Sequence, residues 1–243
     1  MNTFAIVQAR MGSTRLPGKV LMDIGGASML ARVVSRTRRA ERINQVVVAT
    51  TSHSLDDAII GECEHLGVAT FRGSENDVLD RYYGAAKAFD ANIIVRITSD
   101  CPLIDSMVID SVLALYSASS CDYASNVQKR FFPRGLDTEA FSFAALERAW
   151  KNANETFQRV HVTPYIYQHP ELFRLASLEA DADYSTLRWT VDTAQDLDLV
   201  RAIYARLKND DTFGWRDALA VVEREPELLR LNQDIQQKAL HEG

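Results

Sequence analysis

One stretch near the start of the chain, Phe4-Ala-Ile-Val-Gln-Ala-Arg-Met-Gly-Ser-Thr-Arg-Leu-Pro-Gly-Lys19, joins a short apolar segment to a loop rich in glycine and cations. The apolar part, residues 4–8, has the length and composition of a buried strand. Apolar residues recur at helical spacing from Met29 to Thr37, and residues 46–49 form a second buried-strand run. The stretch therefore predicts the opening strand, loop and helix of a parallel α/β sheet.

The alternation of strand and helix continues along the chain. It predicts helices at about 55–66, 78–89, 105–119, 143–152, 160–168, 194–207 and from 215 onward, and strands at 68–71, 93–98 and 187–191. We expect a three-layer, Rossmann-like α/β fold with a mostly parallel sheet and helices on both faces. Residues 1–243 are expected to form a single domain, with a substrate-facing or dimerisation subregion at about 120–185.

Composition narrows the class of protein. Of 243 residues, 47% are hydrophobic, and the formal net charge of −6 comes from interspersed charges, so we expect no nucleic-acid partner. No apolar run approaches the roughly 20 residues that span a bilayer, and the first residues lack the charged start of a signal peptide. We therefore predict a cytoplasmic protein with no membrane partner. Three cysteines without paired spacing argue against disulfides and structural zinc.

The loop after the first strand carries three cations, Arg10, Arg15 and Lys19, within ten residues. Gly12 would let backbone amides approach phosphate oxygens, Ser13 adds a hydroxyl, and each arginine can contact two oxygens. A solvated basic loop is the alternative, but glycine and proline directly after a strand favour a polyphosphate site. The spacing fits neither a Walker A loop nor the GxGxxG dinucleotide motif.

Six further stretches accompany this loop: Ala49-Thr-Thr51, Arg72-Gly-Ser-Glu-Asn-Asp-Val-Leu-Asp-Arg81, Arg96-Ile-Thr-Ser-Asp-Cys-Pro-Leu-Ile-Asp105, Gly135-Leu-Asp-Thr-Glu139, His161-Val-Thr-Pro-Tyr165 and Thr190-Val-Asp-Thr-Ala-Gln-Asp-Leu197. With residues 6–19 they resemble the cytidylyltransferases that make CMP-activated acidic sugars, including acylneuraminate and 3-deoxy-manno-octulosonate cytidylyltransferases. The likeness is greatest to the subgroup called spore coat polysaccharide biosynthesis protein F. It implies the nucleotidyltransferase fold, CTP and an acidic sugar as substrates, Mg²⁺ as cofactor and a homodimer.

Two aspartates are the candidate metal ligands. Asp100 follows the predicted strand 93–98, where its carboxylate should emerge beside the phosphate loop, and Mg²⁺ prefers such oxygen ligands. A turn or helix-capping aspartate is the alternative for Asp100 and also for Asp192. The resemblance implies that both Asp100 and Asp192 hold the metal, with Asp196 as the weaker choice.

The resemblance also implies direct transfer, in which a sugar hydroxyl attacks the α-phosphorus and pyrophosphate leaves. Positioning and charge neutralisation supply most of the acceleration in such reactions. The predicted catalytic residues are Arg10, Arg15, Lys19 and Asp100. The predicted nucleotide-binding residues are Ala9, Arg10, Gly12, Ser13, Arg15, Lys19, Thr50, Arg72, Asp80 and Ser99, although plain turn chemistry could also explain Thr50 and Arg72.

The segment 130–139 combines cations and aromatic residues in a way that suits a carboxylated sugar. The predicted sugar-binding residues are Arg134, Asp137, Glu139 and His161, while the phenylalanines at 131 and 132 could equally belong to the core or a dimer contact. His161 is also a candidate base, although a histidine that only caps or packs is more usual. The subgroup has an acidic residue where this chain has Val160, which puts one charge contact in doubt.

Three other functions share parts of this pattern. A sugar-1-phosphate nucleotidyltransferase would have glycine at the place of Arg10. A glycosyltransferase of similar fold needs an Asp-x-Asp metal motif, for which Asp181-Ala-Asp183 is the candidate outside helical patterns. A non-catalytic nucleotide-binding protein would not need Lys19 and both aspartates together, so all three stay below cytidylyl transfer.

Overall fold

The computed structural model describes residues 2–237, which form an α/β fold around a seven-stranded sheet of order β3-β2-β1-β4-β6-β5-β7. The strands are β1 (Thr3–Gln8), β2 (Gln45–Thr51), β3 (Ala69–Gly73), β4 (Ile93–Thr98), β5 (Tyr123–Ser125), β6 (Glu139–Ser142) and β7 (Leu175–Ser177). β1 to β4 pair in parallel, whereas β6 runs antiparallel to β4 and β5. The predicted fold class, a mostly parallel sheet with helices on both faces, is confirmed.

Nine α-helices surround the sheet within residues 2–237. They are α1 (Met29–Arg38), α2 (Asp57–His65), α3 (Val78–Ala88), α4 (Ser106–Ala118), α5 (Phe143–Asn152), α6 (Thr156–His161), α7 (Pro164–Tyr167), α8 (Ala194–Arg206) and α9 (Trp215–Arg224). Short 3-10 helices cover Lys19–Leu21, Ser54–Asp56 and Pro226–Leu231. Five of the α-helices begin at side-chain caps that accept a backbone N–H, namely Ser28, Asp77, Asp105, Ser142 and Thr193.

Successive side chains of β1 point to opposite faces of the sheet, and both faces are buried. Ala5 and Val7 pack into one hydrophobic cluster with α1, and Phe4 and Ile6 pack into a second cluster with α3. A strand buried on both faces reads as a continuous apolar run, as residues 4–7 do. A third cluster lies between α8 and α9. Within residues 2–237, no helix is long and apolar enough to cross a membrane.

Two predicted elements differ from the structure. Residues 187–191 form only an isolated bridge, Arg134 to Arg188, and not the predicted strand. Their backbone bonds go to neighbouring loops, including Val191 N–H to Asp100 O at 2.8 Å. The predicted helix 160–168 is interrupted at Val162, whose φ of 74° no helix tolerates. Short β5, β6 and β7 were not predicted, because three or four residues are too few to establish a periodicity.

Candidate active site

The first loop folds back on itself at the carboxyl edge of the sheet. The N–H groups of Ser13 and Gly18 both donate to Met11 O, at 2.9 and 3.0 Å. Gly18 has φ 70°, a left-handed conformation that few other residues adopt, and it starts the 3-10 turn that contains Lys19. This turn points Lys19 inward, where it is buried, while Arg10 stays exposed.

The Lys19 ammonium lies between the two predicted metal ligands. Nζ is 3.1 Å from Asp100 Oδ2, 2.9 Å from Asp192 Oδ1 and 2.7 Å from Val191 O. Burial lowers the pKa of Lys19, but the two carboxylates outweigh it and the pKa is raised. Burial likewise raises the pKa of Asp100, but the Lys19 charge and the hydrogen bonds that Asp100 accepts from Thr98, Lys19 and Cys101 together outweigh this, so that pKa is lowered. Both groups are therefore charged at neutral pH.

Sheet order brings these residues together. β1 and β4 are neighbours with Gln8 opposite Thr98, so the loop that carries Lys19 and the loop that carries Asp100 leave the same edge side by side. Asp192 reaches this edge because the preceding residue, Val191, is hydrogen-bonded to the Asp100 backbone. The structure thus brings Lys19, Asp100 and Asp192 together, while their roles in phosphate and metal binding stay predictions.

Asp192 has two further cationic partners. Arg15 Nη2 lies 2.9 Å from Asp192 Oδ2, and Arg188 Nη2 lies 2.8 Å from the same oxygen. Arg188 also pairs with the fully buried Asp196 at 2.9 Å. Asp196 is thus committed to Arg188 and to the start of α8, where it accepts from Thr193 N.

A cavity of about 820 Å³ opens beside this charged group. Its wall includes Arg15, Asp100 and Asp192 on one side. The remaining lining residues are Gln8, Arg96, Thr98, Cys101, Val127, Gln128, Arg130, Arg134, Gly135, Asp137, Glu139, His161, Thr163, Tyr167, Thr190 and Gln237. All four predicted sugar-binding residues lie in this wall.

Glu139 is the centre of a buried network in the cavity wall. It pairs with Arg96 on the adjacent strand and accepts the hydroxyls of Tyr123 and Thr163, each at 2.6 Å. Arg96 Nη2 also approaches Gln8 Oε1 at 3.3 Å. Because these donors occupy both Glu139 oxygens, Glu139 holds Arg96, Tyr123 and Thr163 in place in or beside the cavity wall.

Arg134 differs from the other arginines of the cavity. Arg130 forms a bidentate pair with Asp137, at 2.6 and 2.9 Å, whereas Arg134 forms no ion pair among the described residues. Burial, and then the nearby charge of Arg130, lowers the pKa of Arg134. The half-buried Arg134 is therefore a cation of the cavity wall that no carboxylate of residues 2–237 pairs with.

His161 and Thr163 reach the cavity through a strained turn. Val162 has φ 74° and ψ −57°, and Thr163 N–H donates to His161 O at 2.9 Å, which is a γ-turn. Such a conformation is costly for a β-branched residue and occurs where surrounding contacts enforce it. Beside it, Arg159 forms a fork with Asp77, closest at 2.5 Å, so the arginine before Val160 has an acidic partner from another part of the chain.

Several predicted nucleotide-binding residues lie outside the cavity wall. Ala9 and Ser99 are buried, and their N–H groups bond to neighbouring strands. Arg72 pairs with Asp57 at 2.6 Å, and Asp80 accepts the Trp150 indole N–H at 2.8 Å. Gly12 is exposed and Ser13 half-buried in the first loop. The nucleotide roles of these residues remain predictions.

Sequence reasoning missed Asp56, which is 2% exposed. Asp56 Oδ1 accepts the N–H of Met11 at 2.8 Å, and Oδ2 accepts both the Thr50 hydroxyl and the Thr51 hydroxyl and N–H. The predicted nucleotide residue Thr50 is therefore engaged with Asp56. An aspartate five residues after a strand end reads as a helix cap, so the sequence contains no clear signal for this role.

Sequence reasoning also missed Arg188 and the place of Arg96 in the cavity wall, because each arginine lies in or next to an apolar run.

Two other predictions have a clear outcome. Phe132 is a core residue that packs against Trp215 with ring centroids 5.6 Å apart. Asp181 and Asp183 are exposed and lie outside the cavity wall, and Asp181 pairs with Arg216 at 2.9 Å. The Asp-x-Asp candidate thus has no place in this site.

Comparison with known proteins decides between the remaining functions. Residues 4–227 match the sequence profile of a protein family described as cytidylyltransferase. The chain belongs to the cytidylyltransferase family. Spore coat polysaccharide biosynthesis protein SpsF of Bacillus subtilis is 33% identical over an alignment of 230 residues that covers 91% of this cytidylyltransferase and 94% of the relative.

Two further similarities support the same family. The solved structure of a cytidylyltransferase from Leptospira borgpetersenii is 33% identical, covers 98% of this chain and 100% of its own, and superposes with a TM-score of 0.91. A 3-deoxy-manno-octulosonate cytidylyltransferase of Geobacter sulfurreducens is 40% identical over 114 residues, 47% of this chain and 45% of that protein. The resemblance read from the sequence is confirmed, and the protein is a nucleotidyltransferase.

Proposed function

We propose that this cytidylyltransferase transfers CMP from CTP to an acidic sugar of the 2-keto-3-deoxy or nonulosonic type, for synthesis of a surface polysaccharide or glycan. The observation that carries the choice of acceptor is Arg134, a half-buried cation in the cavity wall without an ion pair among residues 2–237. A guanidinium recognises a carboxylate through two parallel hydrogen bonds. The neighbouring Arg130 is already paired with Asp137, so Arg134 is the guanidinium that we expect the sugar carboxylate to contact.

The first loop supports the nucleotide half of the proposal. Arg10 is exposed, and Arg15 and Lys19 reach the carboxylates through flexible side chains. We expect these three cations to contact the triphosphate, because loops of this kind after a first strand bind phosphate at the sheet edge. Lys19 would then exchange part of its contact with Asp100 for phosphate oxygens.

The residues present fit a magnesium ion. Asp100 and Asp192 each hold an oxygen within 3.1 Å of the same ammonium, so a single cation already lies between them. No three His, Cys, Asp or Glu side chains converge within the described chain, and Mg²⁺ commonly uses one or two carboxylates together with substrate phosphates. When bound, Mg²⁺ would neutralise phosphate charge and lower the pKa of the attacking hydroxyl.

The reaction that we propose is a direct displacement. A sugar hydroxyl oxygen forms a bond to the α-phosphorus of CTP as the bond from that phosphorus to the α,β-bridging oxygen breaks. Pyrophosphate leaves with the bonding electrons, and the hydroxyl proton passes to solvent. Arg10, Arg15 and Lys19 would stabilise the charge that grows on the leaving group.

Nucleotide titrations test the donor. Thermal stability is followed with CTP, UTP, ATP and GTP, each with and without Mg²⁺, because a ligand that binds the native state raises the melting temperature. We expect selective stabilisation by CTP with Mg²⁺. Stabilisation by UTP or GTP alone would contradict cytidylyl transfer.

Pyrophosphate release with a panel of sugars tests the acceptor. Carboxylated 2-keto-3-deoxy sugars are compared with the same sugars as primary amides, and we expect turnover only with the acids. Equal turnover of both forms would overturn the acidic-sugar assignment. We also propose a homodimer and a cytoplasmic location, which size-exclusion light scattering and cell fractionation test.

A further inference from the structure

Arg188 lies behind Asp192 and joins it to a buried carboxylate. Its Nη2 is 2.8 Å from Asp192 Oδ2 and 3.2 Å from Asp196 Oδ2, and its Nε is 2.9 Å from Asp196 Oδ1. A single guanidinium thus bridges both aspartates, which a point charge such as lysine cannot do.

Asp196 holds the backbone of the same segment. Its Oδ2 accepts the N–H groups of Asp192 and Thr193, each at 3.0 Å, and the side chain is 0% exposed. The main chain of Asp192 is therefore fixed by Asp196, and the Asp192 side chain is fixed by Arg188.

The C-terminal segment, residues 232–237, completes the arrangement. Asn232 is 5% exposed and its Nδ2 donates to Arg188 O at 3.0 Å and to Asp196 Oδ1 at 2.9 Å. Gln237 Oε1 accepts from Arg188 Nη1 at 2.6 Å, and Gln237 lines the cavity. Both residues follow residue 227, where the match to the family profile ends.

These contacts give the two carboxylate oxygens of Asp192 different partners. Arg188 and Arg15 occupy Oδ2, which leaves Oδ1 directed at Lys19 and the Asp100 side. If Arg15 and Lys19 turn to the triphosphate, Arg188 cannot follow, because Asp196 holds it. Arg188 is therefore the cation that would keep Asp192 oriented when substrate is bound.

We propose that Arg188, held by Asp196 and the C-terminal segment, is a positioning residue that keeps Asp192 Oδ1 turned toward Asp100 for metal binding. The inference rests on the proposed magnesium site. Partners that orient metal ligands in this way typically change metal affinity by about 10- to 100-fold when removed.

Metal binding by Arg188→Lys tests the proposal, because this change keeps the charge and removes the bridge. Free Mn²⁺ is measured by its electron paramagnetic resonance signal in the presence of CTP and protein. We expect the Mn²⁺ dissociation constant to rise about tenfold, with the KM of the sugar unchanged. An unchanged dissociation constant in a folded Arg188→Lys variant would overturn the inference. If the wild-type protein itself binds no Mn²⁺ with CTP, the metal site of the proposed function fails instead.

A second variant keeps the proposal testable if Arg188→Lys does not fold. Gln237 is exposed, so Gln237→Ala should fold normally, and we expect it to weaken Mn²⁺ binding by a smaller factor than Arg188→Lys. Gln233→Ala, an exposed residue of the same segment, is the matched control and should bind as the wild type does. Equal Mn²⁺ binding by Gln237→Ala and Gln233→Ala would contradict a role for the C-terminal segment.

Discussion

Lys19 Nζ lies 2.9 Å from Asp192 Oδ1, although 173 positions separate the two residues in the chain. The contact joins the first loop to the start of α8 and leaves Asp100 on the other side of the ammonium. Since both residues are mostly buried, the pair is sensitive to the loss of either partner.

Removal of the Lys19 charge should destabilise the protein in a pH-dependent manner. In Lys19→Met, Asp100 is left partly buried without its cation, which we expect to cost roughly 3 kcal/mol at neutral pH. Urea unfolding of the variant and the wild type at several pH values between 4 and 8 measures this difference.

The sign of that pH dependence follows from the two pKa shifts. In the wild type the lowered pKa of Asp100 contributes stability above its ordinary value of 3.8, and this is lost as the pH falls through the folded pKa. The raised pKa of Lys19 contributes stability below 10.5, and this is lost as the pH rises through the folded pKa. In the variant, burial still raises the pKa of Asp100 while the opposing charge of Lys19 is gone, so the pKa should lie higher than in the wild type and the difference in stability should shrink on acidification. A constant difference from pH 8 to 4 would speak against this pair.

Asp100→Ala should remove metal-dependent turnover. We expect kcat to fall by about 100-fold or more, because the metal that would neutralise the reacting phosphates loses one of its two proposed carboxylate ligands. Pyrophosphate release at saturating Mg²⁺ measures the effect, with Asp198→Ala as control because Asp198 is exposed on α8. Full activity of Asp100→Ala would overturn the metal assignment.

Arg134→Gln should impair binding of the sugar and leave CTP unaffected. Loss of a charge-assisted hydrogen bond costs about 1.5–3 kcal/mol, or roughly 10- to 100-fold in sugar KM. Steady-state kinetics with each substrate varied in turn separates the two KM values. Lys129→Gln removes an exposed charge from the same loop and should change neither.

Asp56→Asn should weaken CTP binding. Asp56 accepts hydrogen bonds from Met11, Thr50 and Thr51, and an amide cannot accept all of them with its nitrogen. We expect the melting-temperature increase caused by CTP to be reduced and the sugar KM to be unchanged. Glu64→Gln, at an exposed position on α2, is the control, and an equal effect of both changes would count against the proposed role of Asp56 in holding the first loop.

Gly135→Ala should destabilise the protein more than Gly26→Ala does. Both glycines have positive φ, 107° and 90°, but a Cβ at Gly135 would lie 2.6 Å from the Trp189 backbone carbon, whereas nothing lies within 4 Å of one at Gly26. The difference in melting temperature between the two variants isolates the clash from the backbone strain. Equal decreases in melting temperature would show that the close approach of residue 135 to the Trp189 backbone does not require glycine.

Sequence patterns located the long elements closely. β4 and α5 have the predicted bounds, because each is long enough for its periodicity to dominate. Residues 187–191 were mistaken for a strand because an apolar run has the same appearance whether its backbone pairs in a sheet or with loops. The apolar pattern of the predicted helix 160–168 continues through Val162, but the surrounding packing holds Val162 in a γ-turn there. The pattern of residue types contains no sign of that packing.

The amino-acid sequence by itself determined the α/β fold, the glycine- and cation-rich first loop and the family, because these depend on local periodicity and on residue types at short spacing. Tertiary structure alone decided which charges meet. The contact of Asp56 with the first loop, the contact of Arg188 with Asp192 and the lack of an ion pair at Arg134 within residues 2–237 all depend on how distant segments pack. The free energy of a charged group depends on its neighbours in space and its distance from solvent, and a linear pattern contains neither.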